Sequence, residues 1–279
     1  MEPHNGKAKQ ETPPVSIRQR NNVQCIGSGP TTMVFAHGFG CDRDVWRLLS
    51  PDFASRFKLV LFDLVGSGMS DLAAYDRGRY SSLDGYADDL LEIVDEFGDG
   101  PVIFVGHSVS AMIGVIAHVK APDRFKAHVM IAPSPCYIND GEYVGGFSRE
   151  DIGSLLDALE QNHLGWSSRM APVIMGAPDR PELSVELTKS FCRTNPDVAK
   201  HFARVTFLSD TRADVAKLTA PTLIIQSSED VIAPTAVGEY LHRQLPNSTL
   251  KVISNVGHCP HLSAPLACAE AMNEFLRAL

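Results

Sequence analysis

The sequence predicts an α/β fold: a mostly parallel central sheet with helices on both faces and a helical cap inserted in its second half. Three observations carry that expectation. Short, almost continuously apolar runs such as Thr32-Met33-Val34-Phe35-Ala36, Leu59-Val60-Leu61-Phe62 and Val102-Ile103-Phe104-Val105 alternate with segments of helical periodicity. Strands covered on both faces are apolar at successive positions, and parallel neighbours need a helical crossover. One such strand turns directly into a helix at Gly106-His107-Ser108-Val109-Ser110, a corner of small residues with a serine at its apex. The strand signals then stop between Cys136 and Asp210 and resume afterwards.

A chain of 279 residues suits one α/β domain with an insertion, and 44% hydrophobic content fills a sizeable core. The formal net charge of -8 argues against nucleic acid and anionic membrane surfaces as main partners. Six cysteines (Cys25, Cys41, Cys136, Cys192, Cys259, Cys268) lie far apart, with no Cys-x-x-Cys pair. That is neither a zinc pattern nor a small disulfide scaffold, so a reducing, cytoplasmic location is expected. No apolar run has the length of a membrane span. Residues 1–21 are polar, lack the apolar segment of a secretory signal and read as a mobile tail. Residues 22–135 and 211–279 read as the core of the fold, and 136–210 as the cap. Nothing in the sequence demands more than a monomer.

In chain order, residues 22–26 suit a first strand and Gly27-Ser28-Gly29-Pro30 a turn. The strand at 32–36 ends in His37-Gly38-Phe39-Gly40, and Trp46, Leu48 and Leu49 suit a short helix. Residues 59–62 form the next strand, ending at Asp63. Gly66-Ser67-Gly68-Met69-Ser70-Asp71 lacks the third glycine of a dinucleotide loop and reads as a tight turn. Leu83, Tyr86, Ala87, Leu90, Val94 and Phe97 mark one face of a helix, capped by Ser81 or Ser82 and stopped by Gly98. The strand and helix around Ser108 follow, then a strand over 127–132 that runs into Pro133. Within the cap, short helices broken by proline and glycine are expected at 154–164, 173–175, 185–192 and 198–208. The aromatics Tyr137, Phe147, Trp166, Phe191, Phe202 and Phe207 lie in this insertion. Some would glue it to the sheet and others would line an apolar pocket above Ser108. Strands at 222–226 and 250–253, a helix at 237–245 and a last amphipathic helix through Leu266, Ala269, Met272 and Phe275 complete the chain.

A serine at a strand–helix corner stands clear of the sheet, with a helix N-terminus beneath it. Its hydroxyl is a poor nucleophile until a base takes the proton; histidine suits that task near neutral pH, and a carboxylate fixes the imidazole tautomer. Ser108, Asp230 and His258 each fall just after a strand, in that order. This is the α/β-hydrolase order of nucleophile, acid and base. His261 competes as base, but its place nearer the final helix assigns it to packing. Glu229 reads as solvated or a structural cap, Asp63 as structural and His37 as a residue that holds its loop. His107 adjoins the nucleophile beside the pocket, with its ring directed away from the attacking oxygen. Cys259 has no pairing that suggests a nucleophile. An oxyanion needs two preorganised donors. The N–H of Val109 is one, and Phe39 supplies the other while placing a ring at the pocket mouth. No metal or organic cofactor is implied.

Several motifs carry a closer resemblance. They are Gly-His-Ser-Val-Ser-Ala-Met-Ile-Gly (106–114), Ser-Pro-Cys-Tyr-Ile-Asn-Asp (134–140), Gly-Gly-Phe (145–147), Ser-Asp-Thr-Arg (209–212) and Gly-His-Cys-Pro-His-Leu-Ser (257–263). With Phe-Asp-x-x-Gly-Ser-Gly at 62–68 and Tyr-Asp-x-x-Arg-Tyr at 75–80, they resemble the RsbQ group of bacterial stress regulators and the plant strigolactone and karrikin receptors. Ser110, in place of the last glycine of Gly-x-Ser-x-Gly, is shared with the plant receptors, whereas Cys136 is of the bacterial type. The resemblance implies an α/β-hydrolase core under a V-shaped four-helix cap. It implies a mainly apolar pocket in which Tyr137, Phe147, Trp166 and Phe207 join Phe39 and His107. It further implies a small hydrophobic ester or lactone of the butenolide kind, cleaved slowly, and a protein partner engaged by the occupied state. For the RsbQ group that partner is a PAS-domain phosphatase. A dehalogenase or epoxide hydrolase would carry aspartate where Ser108 stands, whereas carbon–carbon bond hydrolases share the triad and remain open.

Overall fold

The computed structural model describes residues 15–279. The strands β1 (Gln24–Ile26), β2 (Thr32–Ala36), β3 (Lys58–Phe62), β4 (Val102–His107), β5 (Phe125–Ile131), β6 (Thr222–Glu229) and β7 (Ser248–Val256) form one seven-stranded sheet. Its order is β1-β3-β2-β4-β5-β6-β7, with β1 antiparallel to β3 and every other neighbouring pair parallel. The chain runs outward from β2 to β3, then returns to β4 on the other side of β2. That reversal leaves a crevice at the carboxyl ends of β2 and β4, the place where open α/β sheets bind ligands.

The helices are α1 (Ile17–Arg20), α2 (Leu83–Phe97), α3 (Val109–Lys120), α4 (Arg149–Gln161), α5 (His163–Met175), α6 (Pro181–Arg193), α7 (Pro196–Phe207), α8 (Arg212–Val215), α9 (Thr235–Gln244), α10 (Pro260–Ser263) and α11 (Pro265–Arg277). Alternate strand residues face opposite sides of the sheet. Val34, Val60 and Phe104 therefore pack with α2, α3 and α9. Met33, Leu59 and Ile103 pack with α11 and with α4 to α7, the four helices inserted between β5 and β6.

Local chemistry sets the element ends. Ser82 rather than Ser81 caps α2, accepting from the Asp84 N–H at 3.2 Å, and Gly98 closes it. The expected helix at Trp46 is two 3-10 turns, Arg43–Trp46 and Ser50–Asp52; Pro51, with no N–H, opens the second. The expected helix at 154–164 is interrupted at Asn162, which ends α4 and caps α5 by accepting from the Gly165 N–H at 2.9 Å. Pro181 and Pro196 sit in first turns, where a missing N–H costs nothing, so prolines read as breaks in fact begin α6 and α7. Strands β6 and β7 outlast their apolar runs because each supplies the other's ladder as far as Glu229↔Val256.

Of the tail expected at 1–21, residues 1–14 lie outside the described part. In the remainder, Val15, Ser16, Arg18 and Gln19 are exposed, but Arg20 of α1 pairs with Glu92 at 2.6 Å, and buried Asn21 donates from Nδ2 to the Asp63 carbonyl at 3.1 Å. Among the described residues, no helix is long and apolar enough to cross a membrane.

Candidate active site

Gly106 lets α3 start directly above β4, because a Cβ there would lie 2.7 Å from the Ala111 nitrogen. Ser108 occupies the corner at φ 56° and ψ -125°, a conformation that side chains rarely adopt. Its N–H donates to the Ile131 carbonyl at 2.9 Å, which holds the strained residue at the end of β5. The register Ala36↔Gly106 brings the loop after β2 alongside this corner.

Two further strand ends complete the arrangement. His258 Nε2 lies 2.8 Å from Ser108 Oγ, and His258 Nδ1 lies 2.8 Å from Asp230 Oδ2. The other carboxylate oxygen accepts from the N–H groups of Ile232 at 2.8 Å and Ala233 at 3.1 Å, so Asp230 cannot swing away. The imidazole therefore donates through Nδ1 and offers an Nε2 lone pair to the Ser108 hydroxyl. The histidine backbone is held from both sides: its N–H donates to Ile174 O of α5 at 2.8 Å, and its carbonyl accepts from His107 Nε2 at 2.9 Å. All three side chains are buried.

The competing groups have other partners. The His261 ring packs 4.8 Å from Trp46 and 4.3 Å from His107, with no hydrogen-bond partner at either nitrogen among the described residues. Burial and the nearby His258 push His261 down to about 3, so it is neutral. Burial, with His261 and His258 beside it, also holds His107 well below the usual imidazole range. His37 Nε2 accepts from the Leu64 N–H at 3.0 Å, leaving Nδ1 to donate to Gly38 O at 2.8 Å. Asp63 accepts from Asn22 Nδ2, Arg43 N–H and Met69 N–H at 2.7, 2.7 and 2.8 Å, and Glu229 is exposed. Burial pushes the Cys41 and Cys259 thiols well above their ordinary range, so neither presents a thiolate.

Ser108 opens into a small cavity that Phe39, His107, Tyr137, Phe207 and His258 also line. Trp166 borders an adjoining small cavity, which shares Phe39 and Phe191 with the first. Phe147 lines neither cavity, contrary to expectation. Its backbone is laddered to Tyr137 O at 3.1 Å and to Asn139 N–H at 2.7 Å, and its ring packs half-buried against the core instead. Cys41, Ile174, Leu187, Thr206 and Ile232 also line the first cavity, beyond the residues expected from the sequence. Thr206 had a signal: it shares the buried face of α7 with Phe202, Ala203 and Phe207, where a hydroxyl is out of place. Its Oγ1 is buried with no partner among the described residues. Tyr137 brings a hydroxyl to 3.4 Å from Ser108 Oγ, and burial pushes that phenol up to about 12, so it remains a donor.

A serine hydrogen-bonded through histidine to a carboxylate at the ends of three sheet strands is an arrangement that nucleophilic hydrolases use. The chain belongs to the alpha/beta hydrolase family, whose model matches residues 33–271. It is 41% identical over 250 residues to the karrikin insensitive 2 receptor CA of Petunia hybrida, covering 89% of this chain and 93% of that protein. It is 38% identical over 262 residues to a strigolactone esterase of Arabidopsis thaliana, covering 94% and 98%. The solved structure of a hydrolase from Oleispira antarctica matches with a TM-score of 0.90 at 42% identity, covering 94% of this chain and 96% of that one. The likeness to the plant receptors expected from the motifs thus extends over nearly the whole chain.

Proposed function

We propose that this protein is a serine hydrolase of small hydrophobic esters or lactones, of the butenolide kind. The observation that carries this reading is the continuous relay from Asp230 Oδ2 through His258 to Ser108 Oγ, with 2.8 Å at each step, at the wall of a cavity lined by aromatics. Ser108 Oγ attacks the carbonyl carbon while His258 Nε2 takes its proton. Asp230 stabilises the imidazolium, and His258 then passes the proton to the departing oxygen. The N–H groups of Phe39 and Val109 receive the oxyanion. Water, activated by the same histidine, releases the acyl group. The aromatic and apolar lining suits a small hydrophobic ligand, and the Thr206 hydroxyl, without a partner among the described residues, suits a polar atom on it.

Residues 136–210 act as the cap in this reading, over a core of 22–135 and 211–279. The antiparallel bridge Cys136↔Asp210 and the bond from Thr211 N–H to Pro135 O at 2.8 Å tie the two ends of the insertion together. A second reading keeps the chemistry and changes its use: a ligand-dependent signalling protein whose occupied state engages a regulatory partner, such as a PAS-domain phosphatase. The bond from His258 N–H to Ile174 O favours it, because the base is attached directly to a cap helix. The relative named a karrikin insensitive receptor is consistent with it.

Intact-protein mass spectrometry during turnover of a fluorogenic butenolide tests both readings. The expected result is a mass increase on the parent chain that is absent in Ser108→Ala, together with loss of cleavage in that variant. Undiminished cleavage by Ser108→Ala would remove the hydrolase reading. A long-lived adduct with slow turnover supports the signalling use, whereas rapid cleavage of simple aryl esters without an adduct counts against it.

A further inference from the structure

The loop from His37 to Gly40 is held at three carbonyls. Ser110 Oγ donates to His37 O at 2.5 Å. His37 Nδ1 and the Cys41 N–H both donate to Gly38 O, at 2.8 and 3.2 Å. Ser190 Oγ, from cap helix α6, donates to Gly40 O at 2.8 Å. A trans peptide is planar, with its N–H opposed to its C=O. Fixing Gly38 O from one side therefore aims the Phe39 N–H to the other. Among the described residues, that N–H has no acceptor. The loop also lies tight against the nucleophile, since a Cβ on Gly38 would be 3.1 Å from Ser108 Cβ and 2.6 Å from His107 Nδ1.

Resting on the reading of Ser108 as nucleophile and Phe39 as oxyanion donor, we infer that Ser110 and Ser190 are positioning residues for that donor. Each hydroxyl holds a carbonyl on one side of the Phe39 amide. Ser110 belongs to the helix that begins at the nucleophile, and its fully buried hydroxyl spends its bond on the neighbouring loop. It sits where a glycine would leave the His37 carbonyl without this donor. Ser190 belongs to the cap, so the second anchor exists only while α6 is seated. One cap hydroxyl thus holds the loop that carries the oxyanion donor.

The test compares the full-length parent, Ser108→Ala, Ser110→Ala and Ser190→Ala on a fluorogenic butenolide, with phenylboronic acid as a probe of the tetrahedral state. Removing an oxyanion donor outright costs about 100- to 1000-fold in kcat, so loosening one is expected to cost about tenfold for Ser110→Ala and about threefold for Ser190→Ala. KM should stay within about twofold, and boronate affinity should fall in step with kcat, because both read the tetrahedral state. Ser110→Thr and Ser190→Thr, which keep the hydroxyl, should restore kcat. The inference is overturned if kcat stays at the parent value in either alanine variant, if KM carries the loss, or if boronate affinity does not change. If Ser110→Ala fails to fold, Ser190→Ala with its threonine control decides on the same criteria. An active parent with equally active Ser110→Ala and Ser190→Ala variants removes the positioning roles alone. A parent that neither cleaves the butenolide nor binds the boronate removes the hydrolase reading and these roles with it.

Discussion

The Ser108 corner and the four inserted helices meet at one cavity but are held by different forces. At the corner, position comes from directional bonds: Ser108 N–H to Ile131 O, His258 to Asp230, and Asp230 Oδ1 to two N–H groups. Across the cavity, position comes from rings. Phe39 lies 6.2 Å from Trp166 and 5.8 Å from each of Phe191, Phe202 and Phe207. Hydrogen bonds lose their value over a fraction of an ångström or a few tens of degrees, whereas apolar contacts tolerate repacking at constant volume. The Ser108 corner is thus held rigidly, and the packing across the cavity is the more adaptable of the two.

The largest effect is expected at the carboxylate. In Asp230→Asn the remaining oxygen would keep accepting from Ile232 and Ala233, and the amide NH₂ would face His258 Nδ1. The imidazole then carries its proton on Nε2 and cannot accept from Ser108. A fall of about 10⁴ in kcat is expected with little change in KM or melting temperature. Steady-state kinetics beside thermal melts measure it; an equal loss in KM would show that the corner binds rather than reacts.

On the adaptable side, Phe207→Ala removes a buried ring that packs 5.1 Å from Tyr137 and borders the cavity. Loss of about 3 kcal/mol in chemical denaturation is expected. KM for a small apolar ester should rise about tenfold, with kcat within about threefold, because the ring acts through ground-state binding. A fall in kcat alone would erase the distinction between the two regions.

Acid sharpens the contrast among the histidines. His128 and His261 are fully buried, and burial sets each to about 3, against 6.5 for the free side chain. Between those values the unfolded chain binds protons that the folded chain refuses. Stability is therefore complete above pH 6.5 and falls as pH drops toward 3, by up to about 1.4 kcal/mol per pH unit for each histidine. Denaturant titrations from pH 7 to 4 should show that slope, reduced in His128→Leu. An unchanged slope in the variant would take His128 out of the account.

The smallest effect is expected at the rim. Arg193 of α6 pairs with Asp42 at 2.6 Å, but its side chain is 68% exposed. Arg193→Ala should cost a few tenths of a kcal/mol, fading in high salt, and leave kcat within about twofold. A larger loss of kcat would mean that the cap is held to the core by charge rather than by rings.

Much of this molecule is local and was readable as such. Apolar runs marked strands β2 to β5, because a strand covered on both faces has no polar alternation to hide. The small residues at 106–110 marked the corner, and Ser108, Asp230 and His258 could be named in order because each closely follows a strand. What needed the tertiary structure was everything that depends on a second segment arriving from far away. His258 and His261 are three residues apart, yet one ring meets Ser108 and the other Trp46; the His258 backbone N–H to Ile174 O and its carbonyl to His107 hold that division. Phe147 leaves the pocket and Ile174 and Ile232 enter it through pairing and packing with no trace in their own neighbours. Ser190 meets Gly40 across 150 positions of chain. Sequence determines short-range patterns because they follow from backbone period and burial. The folded chain alone decides which distant groups share a hydrogen bond, because that requires both to be brought within 3 Å at the right angle.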